Sequence, residues 1–134
     1  MATNDYLHKI GIYDSPICNF CKKEPQNLLH LFCTCSIIQK FWLDICAWLA
    51  RKDVYTQKFS YVDICFGFGK KSYLLINTII FYAKHFIYKT KFEEKNLSFL
   101  RFTKEIDFLR NVEYVIASKK GKENIHEQKW RPLT

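Results

Sequence analysis

The amino-acid sequence predicts a mainly α-helical protein of one domain. Apolar residues recur at three- and four-residue intervals in three long stretches, which is the period of an amphipathic helix. The chain has only four glycines and three prolines, so few residues interrupt those stretches. Its 134 residues, of which 49% are hydrophobic, suffice for one buried core and exclude a large multi-step enzyme.

The first half of the chain should contain a short helix, a single helical turn and one long helix. The short helix is predicted over residues 4–10, and the single turn over residues 28–31. Ser36 and Gln39 have the spacing of a capping box, and apolar residues follow at helical intervals as far as Leu49. These signals predict the long helix directly after the cysteine-rich segment.

The second half is predicted to contain two long helices. Residues 60–66 fit either a short helix or an extended segment. One long helix is predicted over residues 72–92, and the other begins at Ser98 and has an apolar face that runs to Ile116. Residues 119–134 are polar and are predicted to form a flexible tail. The inward-facing residues of the two helices are predicted to be Ile76, Ile80, Ala83 and Ile87, then Phe99, Phe102, Ile106, Leu109, Val112 and Ile116.

The strongest chemical signal is the spacing Cys18-x2-Cys21-x8-His30-x4-Cys35. A Cys-x-x-Cys pair on a tight turn lets two thiolates reach one ion at ~2.3 Å, and an imidazole and a further thiolate complete a tetrahedron. Four such ligands predict one structural Zn²⁺ ion with no position left open for water. Cys33 also lies near His30 in the sequence and is an alternative to Cys35 as the fourth ligand.

The predicted architecture is thus a small CCHC zinc-knuckle unit followed by a helical bundle of two long helices. We expect the zinc unit and its sealing helix to occupy residues 1–50, and a basic helical segment packed on that unit to occupy residues 51–118. No apolar run has the length of a membrane span, and residues 1–17 lack the apolar run of a secretory signal. The thiols are therefore expected to stay reduced inside the cell, in the nucleus or cytoplasm.

Excess positive charge is confined to the second half of the chain. Of 21 basic and 13 acidic residues, residues 1–50 carry four of each, so the net charge of +8 belongs to residues 51–134. Cations bind phosphates, and aromatic rings between them can stack on unpaired bases, which predicts a nucleic-acid partner, RNA or single-stranded DNA ahead of duplex. The candidate contacts are Lys70, Lys71, Lys84, Tyr88, Lys89, Lys91, Arg101 and Lys104.

The first 42 residues carry a set of short motifs. They are Thr3-Asn4-Asp5-Tyr6-Leu7, Gly11-Ile12, Asp14-Ser15-Pro16, Cys18-Asn19-Phe20-Cys21, Glu24, Leu28-Leu29-His30-Leu31-Phe32, Cys35 and Phe41-Trp42. This set resembles the zinc-binding domain that follows the reverse transcriptase in non-LTR (LINE-type) retrotransposon polyproteins. The resemblance implies the ligands Cys18, Cys21, His30 and Cys35. It also implies binding of the element's RNA template or target DNA beside the polymerase domain of a parent polyprotein, of which this chain would be a fragment.

Motifs for catalysis are missing from the sequence. There is no Gly-x-x-x-x-Gly-Lys phosphate loop, no Gly-x-Ser-x-Gly elbow and no pair of adjacent aspartates. We therefore predict a protein that is not an enzyme and has no small-molecule substrate. The alternative function is a zinc-stabilised protein-interaction module whose exposed aromatic residues dock on a polymerase or another partner.

Overall fold

The computed structural model describes residues 2–134, which fold into six α-helices and three shorter helical turns. The α-helices are α1 (Asn4–Lys9), α2 (Ser36–Arg51), α3 (Tyr61–Phe66), α4 (Leu74–Glu93), α5 (Phe99–Lys119) and α6 (Glu123–Trp130). A π-helical turn (His30–Thr34) precedes α2, and 3-10 turns lie before α4 (Lys71–Tyr73) and after α6 (Arg131–Leu133). The prediction of a mainly helical protein, with a Cys/His cluster followed by long helices, is confirmed.

The first residues of α2 and α3 show where local hydrogen bonds begin these helices. Ser60 and Asp63 exchange side-chain and backbone hydrogen bonds in a capping box, which makes residues 61–66 a helix rather than an extended segment. The capping box predicted at Ser36 is wrong. The residue before α2 is Cys35, which makes no side-chain capping hydrogen bond there, and Ser36 is already helical.

One hydrophobic core joins α2, α4 and α5. The four residues of α4 that were predicted to face inward are all buried. The Phe41 ring of α2 stacks on Phe86 of α4, with ring centroids 5.9 Å apart, and meets Phe102 of α5 edge-on at 5.3 Å. Each such ring contributes roughly 1.5–3 kcal/mol when it is fully buried, so this contact is a main source of the helix packing.

The inward face predicted for α5 is correct only in its first half. Phe102 and Ile106 are buried, whereas Val112 and Ile116 are exposed. The second half of α5 packs against α6, a short helix whose one buried residue is Trp130. Such a helix covers only one side of its neighbour, so the apolar side chains on the other side remain in contact with solvent.

The prediction of a flexible tail over residues 119–134 is wrong. Gly121, at φ 66°, turns the chain, and α6 then folds back onto α5. Trp130 is 0% exposed, and its indole N–H donates a hydrogen bond of 2.7 Å to the Glu113 carboxylate. A single large side chain therefore orders a segment whose composition is otherwise polar.

The longest helices are α4 and α5, with 20 and 21 residues. Across residues 2–134, neither these nor any shorter helix has the combination of length and apolar character that spanning a membrane requires.

Candidate metal centre

Four side chains near the N-terminus bring their metal-binding atoms together. The Sγ atoms of Cys18, Cys21 and Cys35 and a ring nitrogen of His30 all lie within 4.8 Å of one another. Cys18 Sγ is 4.0 Å from Cys35 Sγ, and Cys21 Sγ is 3.3 Å from His30 Nε2. Two sulfurs bound to one zinc ion at ~2.3 Å in a tetrahedron are about 3.8 Å apart, so the cluster has the dimensions of a zinc site.

Residues 17–25 form a tight turn that carries the first two cysteines. The backbone N–H of Cys18 donates to the Glu24 carbonyl at 2.7 Å, and the N–H of Lys22 donates to the Cys18 carbonyl at 2.9 Å. Lys22 has a left-handed backbone conformation, with φ 59°, which lets the chain reverse within a few residues. The reversal brings the sulfurs of Cys18 and Cys21 to the same side of the turn.

The other two cluster residues lie at the two ends of the π-helical turn. The backbone N–H of His30 donates to Asn27 Oδ1 at 2.7 Å, which fixes the start of that turn. The N–H of Cys35 donates to the His30 carbonyl at 3.1 Å, and Cys35 directly precedes α2. The chain therefore brings Cys35 back over the cluster at the point where α2 begins.

Cys33, the alternative fourth ligand, faces a different neighbour. Its Sγ atom lies 3.9 Å from the Sγ atom of Cys65 in α3. Burial and the nearby Cys65 raise the pKa of Cys33 to about 12, which disfavours a thiolate there. In the structure Cys35, and not Cys33, completes the cluster.

The surroundings of Cys18 favour its thiolate form. The hydrogen bond with Cys35 is the largest effect that lowers the pKa of Cys18 to about 4, and it outweighs the opposing effect of burial. Hydrogen bonds from backbone groups of Cys21 and Phe20 act in the same direction. The Cys18–Cys35 hydrogen bond, together with burial, raises the pKa of Cys35. The opposite directions of the two pKa shifts favour a thiolate at Cys18 beside a thiol at Cys35, and a divalent cation would displace the thiol proton.

The sequence does not predict which polar residues support the side chains of the cluster. Gln26 is fully buried, and its Nε2 group donates to Cys18 Sγ at 3.3 Å. Nδ1 of His30 lies 3.2 Å from Thr34 Oγ1 and 3.5 Å from a Glu24 carboxylate oxygen. A partner on the second ring nitrogen orients a metal-binding histidine, so Nε2 is left facing the cluster. No spacing rule identifies these residues, since glutamine, threonine and glutamate have no fixed spacing relative to metal-binding residues.

Comparisons of this chain with protein-family models, curated proteins and solved structures give no significant match. The function is therefore inferred from the arrangement of Cys18, Cys21, His30 and Cys35.

The predicted nucleic-acid contacts divide into groups in the structure. Lys70, Lys71 and Lys104 are exposed, and Lys84 is half-buried. Among residues 2–134, no carboxylate lies within 4.0 Å of these four ammonium groups. Their positive charge is therefore not neutralised by an ion pair.

Two further candidates are engaged in ion pairs on the surface. The Lys89 ammonium lies 3.9 Å from Glu93 and 3.7 Å from Glu105. The Arg101 guanidinium lies 3.5 Å from the same Glu93 carboxylate. Exposed pairs of this kind contribute ~0–1 kcal/mol to stability, but they reduce the charge that an approaching phosphate meets.

The last two candidates take part in packing. The Tyr88 hydroxyl accepts a hydrogen bond of 3.0 Å from the backbone N–H of Ala2, and its ring meets Phe92 edge-on. Lys91 is only 4% exposed, and its ammonium contacts Asn4 Oδ1. This burial removes Lys91 from the predicted surface, because a side chain enclosed in this way is not open to a nucleic-acid backbone.

An apolar cleft of about 550 Å³ lies between the π-helical turn, α3 and α4. Apolar side chains dominate its lining, and Phe81 is 64% exposed there. The residues that line the cleft are Leu28, Leu29, Phe32, Cys65, Phe81, Lys84 and His85.

Proposed function

We propose that this protein is a non-catalytic module in which one structural Zn²⁺ ion folds the N-terminal unit and the basic helical surface binds single-stranded nucleic acid, RNA first. The observation that carries the proposal is the convergence of Cys18, Cys21, His30 and Cys35 within 4.8 Å. Three thiolates and an imidazole are a typical ligand set for zinc, and four protein ligands leave no position for a reactive water. When bound, the ion supplies a cross-link between segments of the chain.

The positions of the ligands explain what such a cross-link does. Two of them belong to the turn over residues 17–25, and the other two are the first residue of the π-helical turn and the residue directly after it, which leads into α2. Holding all four at one centre fixes the first turn against the start of α2. Zinc binding of ~10–16 kcal/mol in small zinc-folded peptides is effectively folding free energy, so the ion would be the main stabiliser of residues 17–35.

The charge distribution supports a polyanionic partner. Lys70, Lys71, Lys84 and Lys104 have no carboxylate partner among residues 2–134, so they can neutralise phosphates. Each contact with a single strand contributes about −0.7 to the slope of log affinity against log salt concentration. Four contacts therefore predict a slope of about −3.

The resemblance to the zinc-binding domain of LINE-type retrotransposons extends this proposal. In that setting the chain would bind the element's RNA template or its target DNA beside the polymerase domain of a parent polyprotein. The support is the motif set in residues 3–42 together with the cluster geometry. The transcript context gives the test: a reading frame that encodes a polymerase upstream of this segment supports the role, and an unrelated one contradicts it.

Metal content tests the zinc part of the proposal. We expect elemental analysis of the purified protein to give one zinc per chain, and Cys18→Ser and His30→Ala to lose the ion. Cys65→Ser is the matched control, because this exposed thiol lies outside the cluster and its loss should leave the zinc content unchanged. Wild-type protein that contains no zinc would contradict the proposal.

A pair of double variants tests the nucleic-acid part. Lys71→Gln/Lys84→Gln should weaken binding of single-stranded RNA about tenfold or more at low salt and make the salt slope shallower by about 1.4. Lys9→Gln/Lys40→Gln removes the same net charge from exposed positions in the neutral half. Equal losses of affinity in the two double variants would mean that net charge, and not this surface, determines binding.

The apolar cleft favours a second candidate function, a protein-interaction module. Its exposed Phe81, beside the Lys84 ammonium, would suit an amphipathic helix with acidic residues from a polymerase domain. Phe81→Asp should then abolish capture of that domain and leave RNA affinity unchanged. Loss of RNA binding in the same variant would instead place the cleft in the nucleic-acid site.

A further inference from the structure

Lys91 is a buried cation in the last turns of α4. Its side chain is 4% exposed, and among residues 2–134 its ammonium has no carboxylate within 4.0 Å. The ammonium instead contacts Asn4 Oδ1 and lies 5.5 Å from the centre of the Tyr13 ring and 4.7 Å from that of Phe92. Amide and aromatic partners only partly replace water around a full positive charge, so this site calls for a nearby negative charge.

A short polar network connects Lys91 to the thiol cluster. The backbone N–H of Asn4, the residue whose side chain meets Lys91, donates to Gln26 Oε1 at 3.1 Å. The Nε2 group of Gln26 donates to Cys18 Sγ at 3.3 Å. Asn19 closes the network from the other side, because its Nδ2 group donates to the Lys91 carbonyl at 3.4 Å. The cation and the metal-binding sulfur are thus connected through Asn4, which contacts the ammonium, and Gln26, which contacts the sulfur.

With zinc bound, the Cys/His cluster would supply the negative charge that the Lys91 ammonium lacks. Three thiolates and one neutral imidazole around a divalent ion leave one net negative charge. Burial lowers the pKa of Lys91, and the negative charge on Cys18 acts in the opposite direction, toward the charged ammonium. One buried positive charge is therefore connected to one buried negative charge through Asn4 and Gln26.

We infer that Lys91 is the counter-cation of the Cys3His zinc centre, so that the affinity of residues 17–35 for zinc depends on the docking of α4 against them. This inference rests on the proposed zinc-binding function. It assigns Lys91 a positioning and charge-balancing role in place of the surface contact that the sequence predicted. It also explains why a residue of the basic half is buried beside the zinc unit.

Replacement of Lys91 by an uncharged side chain of similar length tests this role. Lys91→Met should weaken zinc binding about tenfold in competition with a chromophoric chelator, the low end of the range for residues that contact a metal ligand directly, because Lys91 acts through Asn4 and Gln26. Lys91→Arg keeps the charge and should restore most of the affinity. Lys89→Met, an exposed residue on the same helix, should bind zinc within about twofold of the wild type.

A second measurement separates charge balance from packing. A buried ammonium beside a negative centre stabilises the protein through its charge, so Lys91→Met should lower the urea midpoint of the zinc-loaded protein, whereas Lys91→Arg should keep it close to the wild-type value. Equal destabilisation of the zinc-loaded protein by the two variants would identify a packing residue and overturn the inference.

The remaining outcomes distinguish this inference from the proposed function. If wild-type protein binds zinc and Lys91→Met binds it equally tightly, the inference fails and the zinc site stands. A polar cleft beside Lys91 is also lined by the charged residues Lys22, Glu94 and Lys95. If Lys91→Met loses RNA affinity at unchanged zinc affinity, Lys91 reaches nucleic acid through this cleft, and the inference is again wrong. If the wild type binds no zinc, the proposed function and the inference fail together.

Discussion

At the scale of single residues, Glu113 is the polar group that joins three helices. Its carboxylate accepts hydrogen bonds from the Tyr82 hydroxyl of α4 at 2.5 Å and from the Trp130 indole of α6 at 2.7 Å. The Lys129 ammonium donates to it at 3.2 Å. Burial acts to raise the pKa of Glu113, but these partners outweigh it and lower the pKa. The ionised form therefore stabilises the fold.

Replacement of the Glu113 carboxylate should lower the stability of the fold at neutral pH and change it little in acid. Glu113→Gln is expected to lower the free energy of unfolding by about 1–3 kcal/mol at pH 7, because it removes a charged acceptor shared by three donors. A carboxyl group whose pKa is lowered by folding contributes stability above its unfolded pKa, ~4.3, and that contribution is lost as the pH falls through the folded value. Urea unfolding of both proteins should thus give a difference at pH 7 that shrinks at pH ~3. A difference independent of pH would show that the shape of the side chain, and not its charge, is what matters.

The residues of the Cys/His cluster could be predicted from the sequence because their signal is local. Cys18, Cys21 and His30 lie within a short segment, and chelating residues at such spacing can reach one ion through a tight turn. The role of Lys91 could not be predicted, because it depends on contacts with residues such as Asn4, 87 positions away. The helical period places Lys91 on α4, but only the packing of α4 on the N-terminal unit shows that it is buried.

At the scale of elements, α6 is the helix that the sequence does not predict. Residues 119–134 are mostly polar, so hydrophobic periodicity gives no helix signal there. The order of this helix depends on Trp130, which is 0% exposed. The Arg110 guanidinium lies over the Trp130 ring, with its central carbon 5.7 Å from the ring centre. The sequence could show the presence of one tryptophan but not the pocket that receives it.

Truncation of the Trp130 side chain should detach α6 from α5. Trp130→Ala is expected to lower the free energy of unfolding by about 3–5 kcal/mol, since it leaves a cavity and removes a donor from Glu113. Limited proteolysis with trypsin should then cleave at Lys129, whose side chain is only 17% exposed while α6 is docked. Ile125→Ala is the control, because Ile125 is 60% exposed on the same helix and its loss should change stability by less than ~0.5 kcal/mol. Equal protease resistance of Trp130→Ala and wild type would contradict the anchoring role.

At the scale of the whole molecule, the predicted boundary near residue 50 does not divide the hydrophobic core. One cluster of buried residues extends from Cys18 and Leu31 of the N-terminal unit to Phe102 of α5 and Trp130 of α6. Folding of residues 1–50 and of residues 51–134 should therefore be coupled. The two electrostatic halves of the sequence remain distinct in charge, but they share their packing.

This shared core makes the effect of metal removal a test of cooperativity. Zinc contributes ~10–16 kcal/mol to the folding of small zinc units, which is as large as the entire stability of a typical domain, about 5–15 kcal/mol. Chelation should therefore unfold the protein as one unit. The tryptophan fluorescence, to which Trp42 and Trp48 in α2 and Trp130 in α6 contribute, and the far-ultraviolet circular dichroism, to which α4 and α5 contribute most, should change together during chelator titration. If the tryptophan signal changes while the helical signal persists, α4 and α5 fold without the zinc unit, and the boundary near residue 50 separates two independent folding units.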